Sequence, residues 1–219
     1  MKKLLVVVVL FFGFTGGFAQ NEQSPLVEKD IAYKNWVYKS VESEAETSLR
    51  DQLKGKKLVM VAYFAPWCPN WKHDVAFVQD LFQRYKDKGF GVIGVGEYDP
   101  VASMKTHIGQ YKLTFPIVYE SDARSAKQQT QHFEYRKQTG DTRNWGSPWY
   151  IFLEPGKIEK NGDILTRKAF VVNGELIRAE VEEFIRGRLG LAADENKLRS
   201  ARNDEICEPD KKAVELLRP

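Results

Sequence analysis

The sequence predicts an α/β fold, a layered sandwich in which helices flank a central mixed sheet. Two near-continuous apolar runs, Leu58-Val59-Met60-Val61-Ala62-Tyr63-Phe64 and Phe90-Gly91-Val92-Ile93-Gly94-Val95-Gly96, read as strands covered on both faces. Between them Val75, Phe77, Val78, Leu81, Phe82 and Tyr85 recur at helical spacing. Beyond residue 96 helix and strand patterns keep alternating, then end in a hairpin and a helix. Such a sheet is parallel where helices cross over and antiparallel at the hairpin.

Residues 1–19 stand apart from this pattern. Met1-Lys2-Lys3 is followed by an apolar stretch over 4–14 and by small residues before an expected cut after Ala19, the features of a secretory signal peptide. The apolar stretch is short for a membrane span, and no cysteine near the cut could carry a lipid. An exported protein, periplasmic or secreted, is expected, with no stable membrane anchor once the signal is removed. The cut takes Lys2 and Lys3 from the 33 Lys and Arg that face 30 Asp and Glu, leaving 31 against 30. A nearly neutral chain without a long basic run gives no face for nucleic acid.

Residues 20–45 read as a lead-in, polar up to Pro25, with 35–38 either an edge strand or a segment packed on the core. The compact domain is expected over 46–190. A short helix over 46–54 closes at Gly55, the main helix runs from Pro69 to about residue 88, and Gly89 stops it. The glycines of 90–96 suggest a helix packed close against the sheet. Asp99 and Pro100 open a helix to residue 110; a short strand over 115–120 and a polar helix over 123–138 follow. After a loop at 140–144 come strands at 148–153 and 164–172, then a helix through Leu189 capped by Gly190. Residues 191–219 form a charged extension carrying Cys207.

The first apolar strand leads into Phe64-Ala65-Pro66-Trp67-Cys68-Pro69-Asn70-Trp71. Cys68 falls at a helix N-terminus, where unpaired N–H groups and the positive end of the macrodipole favour the nucleophilic thiolate. Pro69 suits the first helical position. This stretch resembles the Trp-Cys-x-x-Cys turn of thioredoxin-like proteins, with Trp71 in place of the second cysteine. Gly55-Lys56-Lys57, Thr114-Phe115-Pro116-Ile117-Val118 and Gly146-Ser147-Pro148-Trp149-Tyr150-Ile151-Phe152 extend the resemblance, over about residues 46–190, to the exported TlpA/ResA-type and AhpC/TSA-type redoxins. It implies a thioredoxin-like three-layer sandwich with a central mixed sheet. It also implies a cis Pro148 beside Cys68, and a Ser147 backbone free to pair with an extended substrate. The plainer reading is a trans Pro148 that merely begins an edge strand.

Without a neighbouring second cysteine, Cys68 stops at a mixed disulfide or a sulfenic acid, and another thiol must resolve it. The candidate site is therefore Cys68 as nucleophile, with Trp67, Trp71, Ser147 and Pro148 as substrate-binding residues and Cys207 as candidate resolving cysteine. The expected activity is thiol/disulfide exchange with a thiol- or disulfide-containing protein or a small thiol, using no cofactor. Two alternatives stay open. Cys68-Pro69 resembles the peroxidatic Cys-Pro of AhpC/TSA proteins, although Ala65 stands where those carry Thr or Ser, and a non-catalytic binding module with an inert Cys68 fits the same residues. Trp67 and Trp71 are either an apolar platform or core aromatics. His73 lies near Cys68, but no second ligand pair accompanies them, so no metal site is expected. His73, His107 and His132 read as ordinary helix residues. Cys207, in a polar tail, is either a transient partner of Cys68 or a thiol unpaired or bonded to another chain.

Overall fold

The protein is described by a computed structural model over residues 22–191. The expected signal peptide and the Cys207 segment lie outside the described residues. Strands β1 (Gln23–Ser24), β2 (Val27–Lys34), β3 (Val37–Ser40) and β4 (Glu46–Ser48) precede helix α1 (Leu49–Leu53) and the central strand β5 (Leu58–Phe64). Then follow α2 (Pro69–Tyr85), β6 (Phe90–Gly96), α3 (Val101–Tyr111), β7 (Ile117–Tyr119), α4 (Gln131–Thr139), β8 (Trp149–Leu153), β9 (Ile164–Val172), β10 (Glu175–Leu176) and α5 (Arg178–Leu189).

Eight strands form one sheet in the order β2-β9-β8-β5-β6-β7-β3-β4, and β1 pairs separately with β10. β5, β6 and β7 run parallel, as their helical crossovers require, while β8, β9 and β2 are antiparallel on one side and β3 and β4 on the other. Period-two alternation divides β5 between two cores. Met60, Ala62 and Phe64 face α2, α3 and α5 through Val75, Val78, Leu81, Met104, Ile108, Val181 and Ile185. Val59, Val61 and Tyr63 face α1 and α4 through Leu49, Leu53 and Tyr135. All seven residues of β5 are buried, which is why its apolar run is continuous. The glycines of β6 do permit close approach: a Cβ at Gly96 would lie 2.5 Å from Met104 Sδ of α3.

Three local expectations differ from the structure. Asp99 does not cap α3: Pro100 is the N-cap and the helix starts at Val101. Residues 46–54 divide into β4, where Thr47 pairs with Tyr38, and an α1 of five residues that starts only at Leu49. The polar helix expected over 123–138 breaks at Thr130 into a 3-10 segment, Arg124–Gln129, and α4. Thr130 is extended, and its Oγ1 accepts from Phe133 N at 3.1 Å, so it caps α4 and cannot continue a helix into it. No helix among the described residues is long and apolar enough to cross a membrane.

Candidate active site

β5 and β8 are neighbours, with Tyr63 opposite Trp149. Their pairing brings the turn that leaves β5 against the turn that enters β8. Cys68 is the N-cap of α2, in extended conformation, and Pro69 takes the first helical position. Across the gap the Ser147–Pro148 peptide bond is cis. Cys68 Sγ donates to Ser147 O at 3.1 Å, and Ala65 N donates to Ser147 Oγ at 2.9 Å. Cys68, Ser147 and Pro148 are thus brought together.

The Ser147 carbonyl is occupied by the thiol, contrary to the free backbone the resemblance implied. The contact requires the S–H proton, so a reacting sulfur must leave it. Cys68 is only 6 % exposed.

The two tryptophans flanking Cys68 have different fates. Trp67 is half-buried, donates Nε1 to Tyr98 O at 3.4 Å and meets Trp145 edge-to-face at 5.3 Å. Trp71 is fully buried, stacks on Phe64 at 4.7 Å and donates Nε1 to His107 Nε2 at 2.7 Å. Trp71 therefore presents no surface to a substrate, a correction to its expected binding role, because its position faces the apolar core of α2. His107, expected as an ordinary helix residue, lies in α3 but is buried and engaged by Trp71. Burial, with Lys72 nearby, lowers it to about 4, so near neutrality its Nε2 is an unprotonated acceptor and the pair is a neutral lock.

Two groups of residues that pattern reading missed support the site. Asp74 is fully buried on the same face of α2 as Trp71 and Val78. Its Oδ2 accepts from Tyr150 Oη at 2.8 Å and from Leu176 N at 2.9 Å. Burial raises Asp74 above the usual carboxylate range, against the pull of those two donors and of His73, which lies 3.4 Å from both Asp74 and Glu175. Burial first, then Asp74 and, more weakly, Cys68 push the Tyr150 phenol up, so this hydroxyl stays protonated within electrostatic reach of the sulfur. One acidic residue interrupting the apolar face of a helix was the available signal.

On the other side Arg136, nearly inaccessible, pairs through Nε with Asp141 Oδ2 at 3.0 Å, and Arg143 Nη2 meets the same oxygen at 2.8 Å. Arg143 also donates to Pro148 O at 2.8 Å and reaches Glu22 Oε2 at 3.3 Å, where Asn70 of α2 donates at 2.6 Å. Burial would raise Asp141, but the hydrogen bonds and charge of Arg143, with Arg136, hold it below the usual range. This ion cluster ties the Pro148 turn to the start of α2. Gly146, in the left-handed region, lies so close to Arg136 that any Cβ there would collide with the guanidinium. Among the described residues, no three His, Cys, Asp or Glu side chains are grouped to hold a metal.

A thiol at a helix N-terminus beside a cis-proline turn, on a sheet of this order, defines a thioredoxin-like redoxin. The Redoxin family matches residues 34–186, and the chain belongs to that family. It is 31% identical over 83 residues to a thiol-disulfide oxidoreductase ResA of Oceanobacillus iheyensis, covering 38% of this chain and 43% of that one. With the Bacillus cereus ResA it shares 26% over 119 residues, 53% of this chain and 66% of the relative. The matches thus span less than two thirds of these relatives. Among solved structures, a thioredoxin-family thiol:disulfide interchange protein of Chlorobium tepidum has the same fold at TM-score 0.52 and 16% identity, covering 74% and 97% of the two chains. A DsbF homologue of Corynebacterium diphtheriae gives 0.52 at 15%, covering 73% and 92%.

Proposed function

We propose that the protein is a thiol/disulfide oxidoreductase with a single active-site thiol. Cys68 attacks a disulfide of a protein or small molecule, or accepts a thiol partner, and rests as a mixed disulfide. One observation carries this reading: Cys68 caps α2 while its sulfur sits 3.1 Å from the carbonyl of the cis-bonded Ser147. The helix N-terminus stabilises a sulfur anion once the carbonyl contact is broken. The ResA relatives support the same chemistry. Trp67 and Pro148 border the thiol as substrate-binding residues. Residues 1–19 support export, so an extracytoplasmic space is where we place the reaction.

Two other readings have specific support. The low exposure and hydrogen-bonded state of the Cys68 thiol favour a binding module that does no chemistry. Cys68-Pro69 supports peroxide reduction, but Ala65 contributes only a backbone N–H, spent on Ser147, where a hydroxyl would be needed.

The separating experiment uses the full chain with Cys207→Ser. On incubation with oxidised glutathione, a stoichiometric adduct at Cys68, reversed by dithiothreitol, is expected in peptide mapping. An unmodified Cys68 would leave the binding module, and sulfenylation at low peroxide without glutathione exchange would favour the peroxidase.

A further inference from the structure

Next to Cys68 the surface is aromatic and positively charged. Trp67 and Trp145, both half-buried, carry one cation each: the Arg124 guanidinium lies 4.6 Å from the Trp67 ring centre and the Lys127 ammonium 4.7 Å from that of Trp145. Lys127 is further fixed by Asn144, whose carbonyl and side-chain oxygens accept at 3.2 and 2.9 Å. Unlike Arg84, Arg136 and Arg143, neither cation has a carboxylate within 4 Å among the described residues. Asp122, two residues before Arg124, makes no ion pair with it. The indole faces hold two positive charges in place, and no described carboxylate neutralises them.

The sequence contains a segment that complements this surface. Asn203-Asp204-Glu205-Ile206-Cys207-Glu208-Pro209-Asp210 has four carboxylates, no basic residue and one branched apolar side chain directly before its cysteine. We propose that Trp67, Trp145, Arg124 and Lys127 dock this segment of the same chain, with Ile206 on the indoles and the carboxylates on the cations, delivering Cys207 to Cys68. Length permits it. α5 starts beside the active-site turn, where Arg178 donates to His73 O, and ends at the opposite end of the strands, where Arg188 meets Glu154 just past β8. A return along α5 is about 18 Å, and the stretch from Leu191 to Cys207 extends to roughly 50 Å.

The proposal rests on Cys68 being a reactive thiol and gives the monothiol site its missing step. In a mixed disulfide Cys68–S–S–R, the Cys207 thiolate attacks the Cys68 sulfur. The Cys68–Cys207 bond forms, the bond to R breaks, and R leaves as a thiolate that takes a proton from water. The two protein thiols lose two electrons, and the substrate disulfide gains them.

The neutral disulfide 4,4′-dithiodipyridine, one molecule per full-length chain, tests both steps. The Cys207→Ser chain measures the first release of thiopyridone, at Cys68. The unaltered chain is expected to give a second release at a rate independent of protein concentration and slowed by salt, with a Cys68–Cys207 peptide in non-reducing mapping. Arg124→Glu with Lys127→Glu should slow the second release, relative to the first, by about tenfold. Adding Asp204→Lys, Glu205→Lys and Glu208→Lys to that variant should restore it. No reaction at Cys68 in the Cys207→Ser chain overturns the oxidoreductase reading and this proposal together. A reactive Cys68 overturns only the docking if the second release is absent, is indifferent to charge reversal, or scales with protein concentration, as it would when another chain supplies the cysteine.

Discussion

Cys68 stands between two kinds of buried polar chemistry. On the α2 side, Trp71 pairs with His107 and Tyr150 with Asp74 by hydrogen bonds, and burial drives the titrating groups toward their neutral forms: His107 down, Asp74 and Tyr150 up. On the α4 side, Arg136, Asp141, Arg143 and Glu22 form an ion cluster, and within it Asp141 is shifted the opposite way to Asp74. Two aspartates of similar burial thus differ because one faces hydroxyl and amide donors and the other faces two guanidinium groups. The lesson is that partner chemistry, more than depth, sets the ionisation state around this thiol.

The comparison breaks most visibly at Asp141. Asp141→Asn leaves Arg136 buried without a counter-charge, and unfolding in urea should show a loss of about 3–5 kcal/mol. A loss below about 1 kcal/mol would mean that the ionic side behaves like the neutral one. In the wild type this contribution is present above the unfolded carboxylate value of about 4 and is lost as pH falls through the lower folded value.

Next in size is Trp71→Phe, which keeps a ring against Phe64 but strips His107 Nε2 of its donor. A cost of about 1–3 kcal/mol is expected for the orphaned acceptor and the smaller ring. An unchanged midpoint would show that the indole N–H contributes nothing. A pH series on His107→Gln sharpens the same point. With its folded value lowered to about 4, His107 costs the wild type stability as pH falls from about 6.5, where the unfolded ring begins to take protons, to about 4. The glutamine variant should show a shallower decline across that window. Equal slopes would remove His107 as the cause.

The smallest effect is expected at Asp74→Asn, whose amide oxygen can accept from Tyr150 and Leu176 as the carboxylate does. A change below about 1 kcal/mol is expected near neutrality. Because the folded value of Asp74 is raised, the wild type loses stability as pH rises through it, and the asparagine variant should not. A loss as large as that of Asp141→Asn would erase the distinction between the two sides.

Much of the fold was legible because β5 and β6 are buried on both faces and α2 has a strong apolar period. The Cys68 turn was legible because a proline after a cysteine, between such a strand and such a helix, fixes where the thiol lies. The edges were harder to read. Of the eight residues of β2, only Ile31 and Tyr33 are buried, so its pattern is that of a polar segment until β9 is there to pair with it. Trp71 was misjudged because an aromatic beside a thiol looks the same in sequence whether it faces solvent or Phe64. Asp74, Arg136 and Asp141 escaped notice because a buried charge is recognisable only through partners distant in the chain, such as Tyr150 for Asp74.

The strand order has a consequence for how the chain comes together. Residues 27–48 supply both outer edges of the large sheet, β2 on one side and β3 with β4 on the other. As the chain is made from its N-terminus, these strands emerge first, yet β2 must wait for β9 and β3 for β7. The β3–β4 hairpin can form at once, but the early β2 waits for one of the last strands to be made, and closing such long loops slows assembly. Until then β2 is an unpaired ribbon, and β3, paired only with its neighbour β4, keeps one edge open to the wrong partner. The charges on β2, Glu28, Lys29, Asp30 and Lys34, give that waiting segment a built-in resistance to clumping.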